Sequence, residues 1–181
     1  MKPENTLCLI VDIQERLQSA LSGHAHMSAH CRLLLQGLAA LGIPFIATEQ
    51  YPKGLGRTIA AVSLLLDGAP VYEKTSFSAF LPEIHEYIVR RGITDVILIG
   101  AETHICILQT AADLRAEGLN VYVPYDCTAS RHPDHKTNGL EQMRDLRVTI
   151  SNTESILFRL LGDAAHPAFK TVSKLIQSAE N

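Results

Sequence analysis

Three residues of this chain could together perform nucleophilic chemistry: Asp12, Lys74 and Cys106. Asp12 follows the apolar run 7–11. Lys74 follows the short run 71–72, and Cys106 follows the run 96–99 and the loop Gly100-Ala101-Glu102-Thr103-His104. A carboxylate beside a thiol can take and return its proton, and a cation nearby lowers the thiol pKa, so the set has the makings of an activated nucleophile. Cys106 is expected in the first turn of a helix, where unpaired backbone N–H groups and the helix dipole favour an anion. A stabilised thiolate is expected there, and the same N–H groups could receive a developing oxyanion. Taken singly, each residue has a plainer reading: Asp12 could cap a helix, Lys74 could be a solvated surface charge, and Cys106 could be a small buried hydrophobe. Only the convergence of three strand ends would make a triad of them.

The elements that would bring about this convergence are legible as apolar runs separated by helical spacing. Runs at 7–11, 45–47, 71–72, 96–99, 121–123 and 148–150 predict six strands. The better runs are apolar at successive positions, so both faces of the sheet should be covered, as in parallel α/β proteins. The segment 30–41 places Leu33, Leu34, Leu38 and Leu41 on one face and stops at Gly42 with Pro44 beyond; Pro82–Arg91 closes at Gly92; 105–117 ends before Gly118. A further helix is expected at 135–146, and one or two more after Thr153. This alternation predicts a three-layer α/β/α sandwich whose function gathers at the carboxyl ends of the strands, above all where strand order reverses. The Gly/Pro-rich piece 51–56 follows a strand, where a binding loop would lie.

Composition narrows the function classes. The 181 residues are 46% hydrophobic with a net charge of −3, enough chain for one ordinary domain spanning residues 1–181. No run of like charge marks a nucleic-acid or anionic-membrane partner, and a small-molecule substrate fits better. The longest apolar runs are too short to span a bilayer and the N-terminus lacks a signal-like segment, so a cytoplasmic protein is expected. The four cysteines, at 8, 31, 106 and 127, show no CxxC pair or zinc-site spacing and should be free thiols. His24, His26 and His30 sit in a polar, loop-like setting that points to surface residues rather than metal ligands. No GxSxG, Gly-rich phosphate loop, GxGxxG or HExxH occurs. Neither metal nor cofactor is implied.

The ordered segments Asp12-Ile13-Gln14, Lys74-Thr75-Ser76-Phe77-Ser78 and Gly100-Ala101-Glu102-Thr103-His104-Ile105-Cys106-Ile107-Leu108-Gln109-Thr110-Ala111 resemble the isochorismatase-like cysteine hydrolases. The fit extends to 48–56 and 126–131, which look like the small isochorismatase-domain and YcaC-like subgroup. The resemblance implies a Rossmann-like six-stranded parallel sheet of order 3-2-1-4-5-6, with Asp12, Lys74 and Cys106 as catalytic triad. It also implies cleavage of a small amide or related C–N bond through a thioester at Cys106. A non-proline cis peptide between Ala101 and Glu102 is implied too, with the N–H groups of Glu102 and Cys106 as oxyanion hole, and assembly into a homo-oligomer. Glu49-Gln50-Tyr51-Pro52 stands where related nicotinamidases carry metal ligands, so a zinc-dependent nicotinamidase is discounted. Position nominates Gln14, Tyr51, Phe77, Phe80, Thr103 and His104 as substrate-binding residues. Two other classes remain open: a catalytically silent small-molecule-binding protein, and a redox-responsive thiol protein in which Cys127 could approach Cys106.

Overall fold

Alternate residues of the central strands feed two separate cores, and this fixes the layers. The computed structural model describes residues 1–179. In chain order the elements are β1 (Thr6–Val11), α1 (Glu15–Gln18), α2 (His24–Ala40), β2 (Phe45–Gln50), α3 (Pro52–Leu55), α4 (Ala60–Ser63), β3 (Val71–Lys74), α5 (Pro82–Arg91) and β4 (Asp95–Ala101). They continue with α6 (Leu108–Ala116), β5 (Asn120–Pro124), β6 (Thr128–Ala129), α7 (Pro133–Asp145), β7 (Thr149–Ser151), α8 (Thr153–Leu161) and α9 (Phe169–Ala179). Every residue of β1 and β4 is buried. Cys8, Ile10, Ile97 and Ile99 join the core under α2, α8 and α9, with Leu34, Leu38, Leu157 and Val172. Leu7, Leu9, Val11, Val96 and Leu98 join the core under α5, α6 and α7, with Ile84, Ala111, Leu114 and Met143. Strands buried on both faces in this way read as continuous apolar runs.

The sheet is parallel throughout, in the order β3-β2-β1-β4-β5-β7. All the expected strands are present, and the expected order holds once the last is numbered β7, because a two-residue strand at 128–129 intervenes. The count of six is thereby corrected to seven among the described residues. The β4–β5 ladder runs only from Asp95↔Asn120 to Ile97↔Tyr122; farther along, β6 replaces β5 against β4, at Gly100↔Thr128 and Ala101↔Ala129. A dipeptide strand has no periodicity to read, which is why composition did not reveal it. Two further corrections concern helices. His24, His26 and His30 lie in α2, which starts six residues before its expected beginning, and 52–55 forms a single helical turn within the Gly/Pro-rich loop.

Strand order reverses between β1 and β4: the chain leaves β1 toward β2 and β3, then returns to the other side of β1. The carboxyl ends of these two strands approach so closely that only glycine fits. Gly100 has φ +127°, and a Cβ there would lie 1.9 Å from the Val11 carbonyl oxygen. Gly100→Ala is therefore expected to lower stability by more than about 3 kcal/mol, read as a large drop in thermal midpoint or as failure to fold, whereas an unchanged midpoint would refute the close contact.

Candidate active site

Asp12 is the first residue beyond β1 and takes a left-handed backbone conformation, φ 54°. Its N–H donates to the Thr48 carbonyl, 3.1 Å away, so the residue is docked on the end of β2 before its side chain is considered. The carboxylate is fully buried and saturated with partners. The Thr48 hydroxyl donates to Oδ1 at 2.8 Å and the Lys74 ammonium donates to Oδ2 at 2.6 Å, with the Cys106 thiol near enough to interact with the same carboxylate. Burial pushes the Asp12 carboxyl above its ordinary range, opposed by Lys74, Thr48 and Cys106.

Lys74 closes β3, and its side chain is wholly buried beside Asp12. Besides Asp12, its Nζ donates to Gln50 Oε1 at 2.8 Å and to the Ser76 and Phe77 carbonyls at 3.1 and 3.2 Å. An ammonium has three N–H groups, so these four acceptors leave none for a ligand.

Cys106 lies in a π-helical turn, Thr103–Ile107, that precedes α6, a refinement of the expected α-helical first turn. Such turns recur at functional sites. The Ala101–Glu102 peptide ahead of it is cis. The Thr110 hydroxyl donates to the Cys106 carbonyl at 2.6 Å and accepts from the Ala79 N–H at 2.8 Å, joining the turn that carries Cys106 to the loop after Lys74. The expected thiolate is corrected. Burial, then the Asp12 charge and hydrogen bond, push the Cys106 thiol up to about 12, against the opposing pull of Lys74 and the Glu102 N–H. Its surroundings thus favour the neutral thiol over the thiolate.

The structure brings Asp12, Lys74 and Cys106 together and sorts the other nominated residues. Gln14 is fully buried, and its amide is committed to the chain: Nε2 donates to the Gln50 and Gly56 carbonyls at 3.0 and 2.7 Å, and Oε1 accepts from the Gln50 N–H at 2.8 Å. It holds the loop after β2 instead of facing a ligand, because an amide two residues past Asp12 reaches the end of β2. Tyr51 and Phe77 are more than half exposed. A cavity of about 320 Å³ lined by Tyr51, Pro52, Lys53, Glu73, Lys74 and Thr75 opens beside Lys74. Phe80 packs edge-on against His85, away from solvent on one side. Thr103 is fully buried, its hydroxyl without a hydrogen-bond partner among the described residues. His104 Nδ1 lies 3.0 Å from the Ser130 hydroxyl, with its ring beside that of His135.

Sequence reasoning missed Thr48, Gln50, Thr110 and Arg131. Arg131 N and Nε donate to the buried Glu102 carboxylate at 2.8 and 3.1 Å, tying the β6 segment to the loop ahead of Cys106. Thr48 and Gln50 flank Glu49 at the end of β2, a signal available only once that strand is carried past Ala47. Glu49 itself is buried and bound by Arg57 and Thr58; burial would raise its carboxyl, but these partners hold it below the ordinary range. Cys127 belongs to the core under α2, α8 and α9 and Cys106 to the other core; the Cys31 thiol donates to the Cys127 carbonyl at 3.5 Å, and the Cys127 sulfur lies 3.2 Å from the Thr153 hydroxyl. Among the described residues no cluster of three or more His, Cys, Asp or Glu side chains could hold a metal ion, and no helix is long and apolar enough to cross a membrane.

Replacing the acid tests the electrostatics. Asp12→Asn removes the negative charge that raises the thiol pKa and leaves Lys74 in place, so the thiol pKa falls. Alkylation of Cys106 by iodoacetamide at pH 8, followed by intact mass, is expected to accelerate about tenfold or more; a slower reaction would contradict this charge balance.

The Isochorismatase domain family matches residues 6–155. Isochorismatase domain-containing protein 1 of Salmo salar is 40% identical over 179 residues, covering 98% of this chain, which spans only 62% of that relative's length. Isochorismatase domain-containing protein 2 of Xenopus laevis is 35% identical over 175 residues, 95% of this chain and 83% of its own. Among solved structures, the MAR1 ribonuclease of Caenorhabditis elegans superposes with a TM-score of 0.94 at 35% identity, over 98% of this chain and 92% of that one.

Proposed function

The chain belongs to the isochorismatase domain family, with the hydrolase fold of that family, and from this premise we propose that it is a cysteine-dependent hydrolase of a small amide or related C–N bond, acting as one unit over residues 1–181. The observation that carries the reading is the buried Asp12–Lys74 pair, 2.6 Å apart, with the Cys106 thiol close enough for the Asp12 charge to raise its proton affinity. A thiol held as neutral as this one is activated only when its proton moves.

In the proposed reaction the Cys106 sulfur attacks the substrate carbonyl carbon while its proton passes to Asp12. The N–H groups of Glu102 and Cys106 stabilise the developing oxyanion. Asp12 then gives the proton to the leaving amine as the C–N bond breaks, leaving a thioester on Cys106. Water, deprotonated by Asp12, attacks the thioester and releases the acid and the thiol. Lys74 is the electrostatic support: its committed N–H groups keep a positive charge against Asp12 without touching substrate. Tyr51, Phe77, Phe80, Thr103 and His104 are the proposed surroundings of the acyl group, Tyr51 and Phe77 by their exposure at the strand-end face. A cytoplasmic homo-oligomer taking a small-molecule substrate, without a metal or other cofactor, completes the reading.

The test is intact-mass analysis with product detection on wild type and Cys106→Ala, using a panel of small amides and hydroxamates. A short RNA is included because the Caenorhabditis elegans relative bears a ribonuclease name. Wild type is expected to form a Cys106 adduct with turnover, and Cys106→Ala to lose turnover by at least about a thousandfold. Amide turnover that survives in Cys106→Ala would sink the covalent mechanism, RNA cleavage alone would replace the substrate class, and an inert thiol would favour a binding protein.

A further inference from the structure

We infer that Gln50 is a positioning residue for the charge pair, holding the Lys74 ammonium on Asp12; the inference rests on Asp12, Lys74 and Cys106 being the reacting centre. Gln50 ends β2 and is only partly exposed. Its side-chain carbonyl accepts from Lys74 Nζ at 2.8 Å, and its Nε2 donates to the Thr75 carbonyl at 2.9 Å, so the amide orientation is set from both ends. Its backbone is fixed just as firmly, since Gln14 donates to the Gln50 carbonyl and accepts from the Gln50 N–H.

The bonding around Nζ explains why this matters. The two short contacts, 2.6 Å to Asp12 and 2.8 Å to Gln50, occupy two N–H groups. The third is shared between the Ser76 and Phe77 carbonyls at 3.1 and 3.2 Å, both weaker. Without the Gln50 acceptor, the freed N–H can take one of those carbonyls for itself. The ammonium then turns toward the loop and away from Asp12. Gln50 thus opposes the loop's pull on the lysine, and a carboxylate in its place would compete with Asp12 outright. The charged groups facing the Cys106 thiol are Asp12 from the end of β1 and Lys74 from the end of β3, so any displacement of the ammonium is felt at the sulfur.

The experiment follows iodoacetamide alkylation of Cys106 in the full chain from pH 7 to 11 by intact mass, for wild type, Gln50→Glu and Gln50→Met, with thermal unfolding of each. Gln50→Glu adds a negative charge near the thiol, and its profile is expected to move upward by about one pH unit, with alkylation about tenfold slower at pH 9. Gln50→Met, close in length but without an acceptor, is expected to move the same way by about threefold in rate. Displaced profiles with intact thermal transitions support the inference. Profiles that superimpose on wild type, whether or not the transition falls, make Gln50 merely structural and overturn it, while the proposed function stands. Should one variant fail to fold, the other decides alone. Wild type unlabelled at Cys106 throughout would instead overturn the proposed function, and this inference with it.

Discussion

The ion pair between Asp12 and Lys74 sits where neither side chain is exposed to water. Withdrawing two charges from solvent costs about several kcal/mol per ion, and mutual attraction repays it only when the remaining donors and acceptors are also satisfied. Much of the local architecture follows from that demand. Thr48 fills the second carboxylate oxygen, Gln50 and two loop carbonyls fill the ammonium, and Gln14 fixes the backbone that presents Gln50. Three strands supply these groups from their carboxyl ends, so the parallel sheet is the frame on which the charges can be buried at all. A partly satisfied network of this kind would be worse than an apolar core.

The same burial governs the sulfur. A helix terminus and a cation beside a cysteine suggest a standing thiolate, yet desolvation and a nearby carboxylate outweigh both here. Burial and the carboxylate together hold the Cys106 sulfur toward its neutral form. Its neighbours are arranged to hold geometry: Thr110 couples the turn carrying Cys106 to the loop carrying Phe77, and Arg131 anchors the Glu102 carboxylate from the short β6 segment.

Much of this was legible in the sequence, and the reasons differ by element. The strands announced themselves because β1 and β4 are apolar at successive positions, and Pro82–Arg91 was bounded by its own proline and glycine. Asp12, Lys74 and Cys106 stood out because each follows such a run. The β6 pairing was hidden, since two residues carry no period. The beginning of α2 was hidden because His24, His26 and His30 read as polar loop, although Met27 and Cys31 beneath them are buried. Gln14 was assigned to a ligand because spacing reveals proximity to a site but not which way an amide is already hydrogen-bonded. The state of the thiol was illegible for a related reason: it depends on a balance of burial and charge that exists only in three dimensions.

The placing of β1 also bears on how the chain comes to fold. Among the described residues it comes first in chain order and ends in the middle of the sheet, yet its partner β4, paired from Thr6↔Asp95 to Val11↔Gly100, follows only after β2 and β3. Until β4 is available, half of the hydrogen-bonding edge of β1 and much of its apolar surface lack their native cover. Non-local parallel pairings of this sort slow folding and prolong the exposure of sticky intermediates. A chain that has emerged only as far as β3 therefore carries β1 uncovered on one edge, a stage exposed to aggregation.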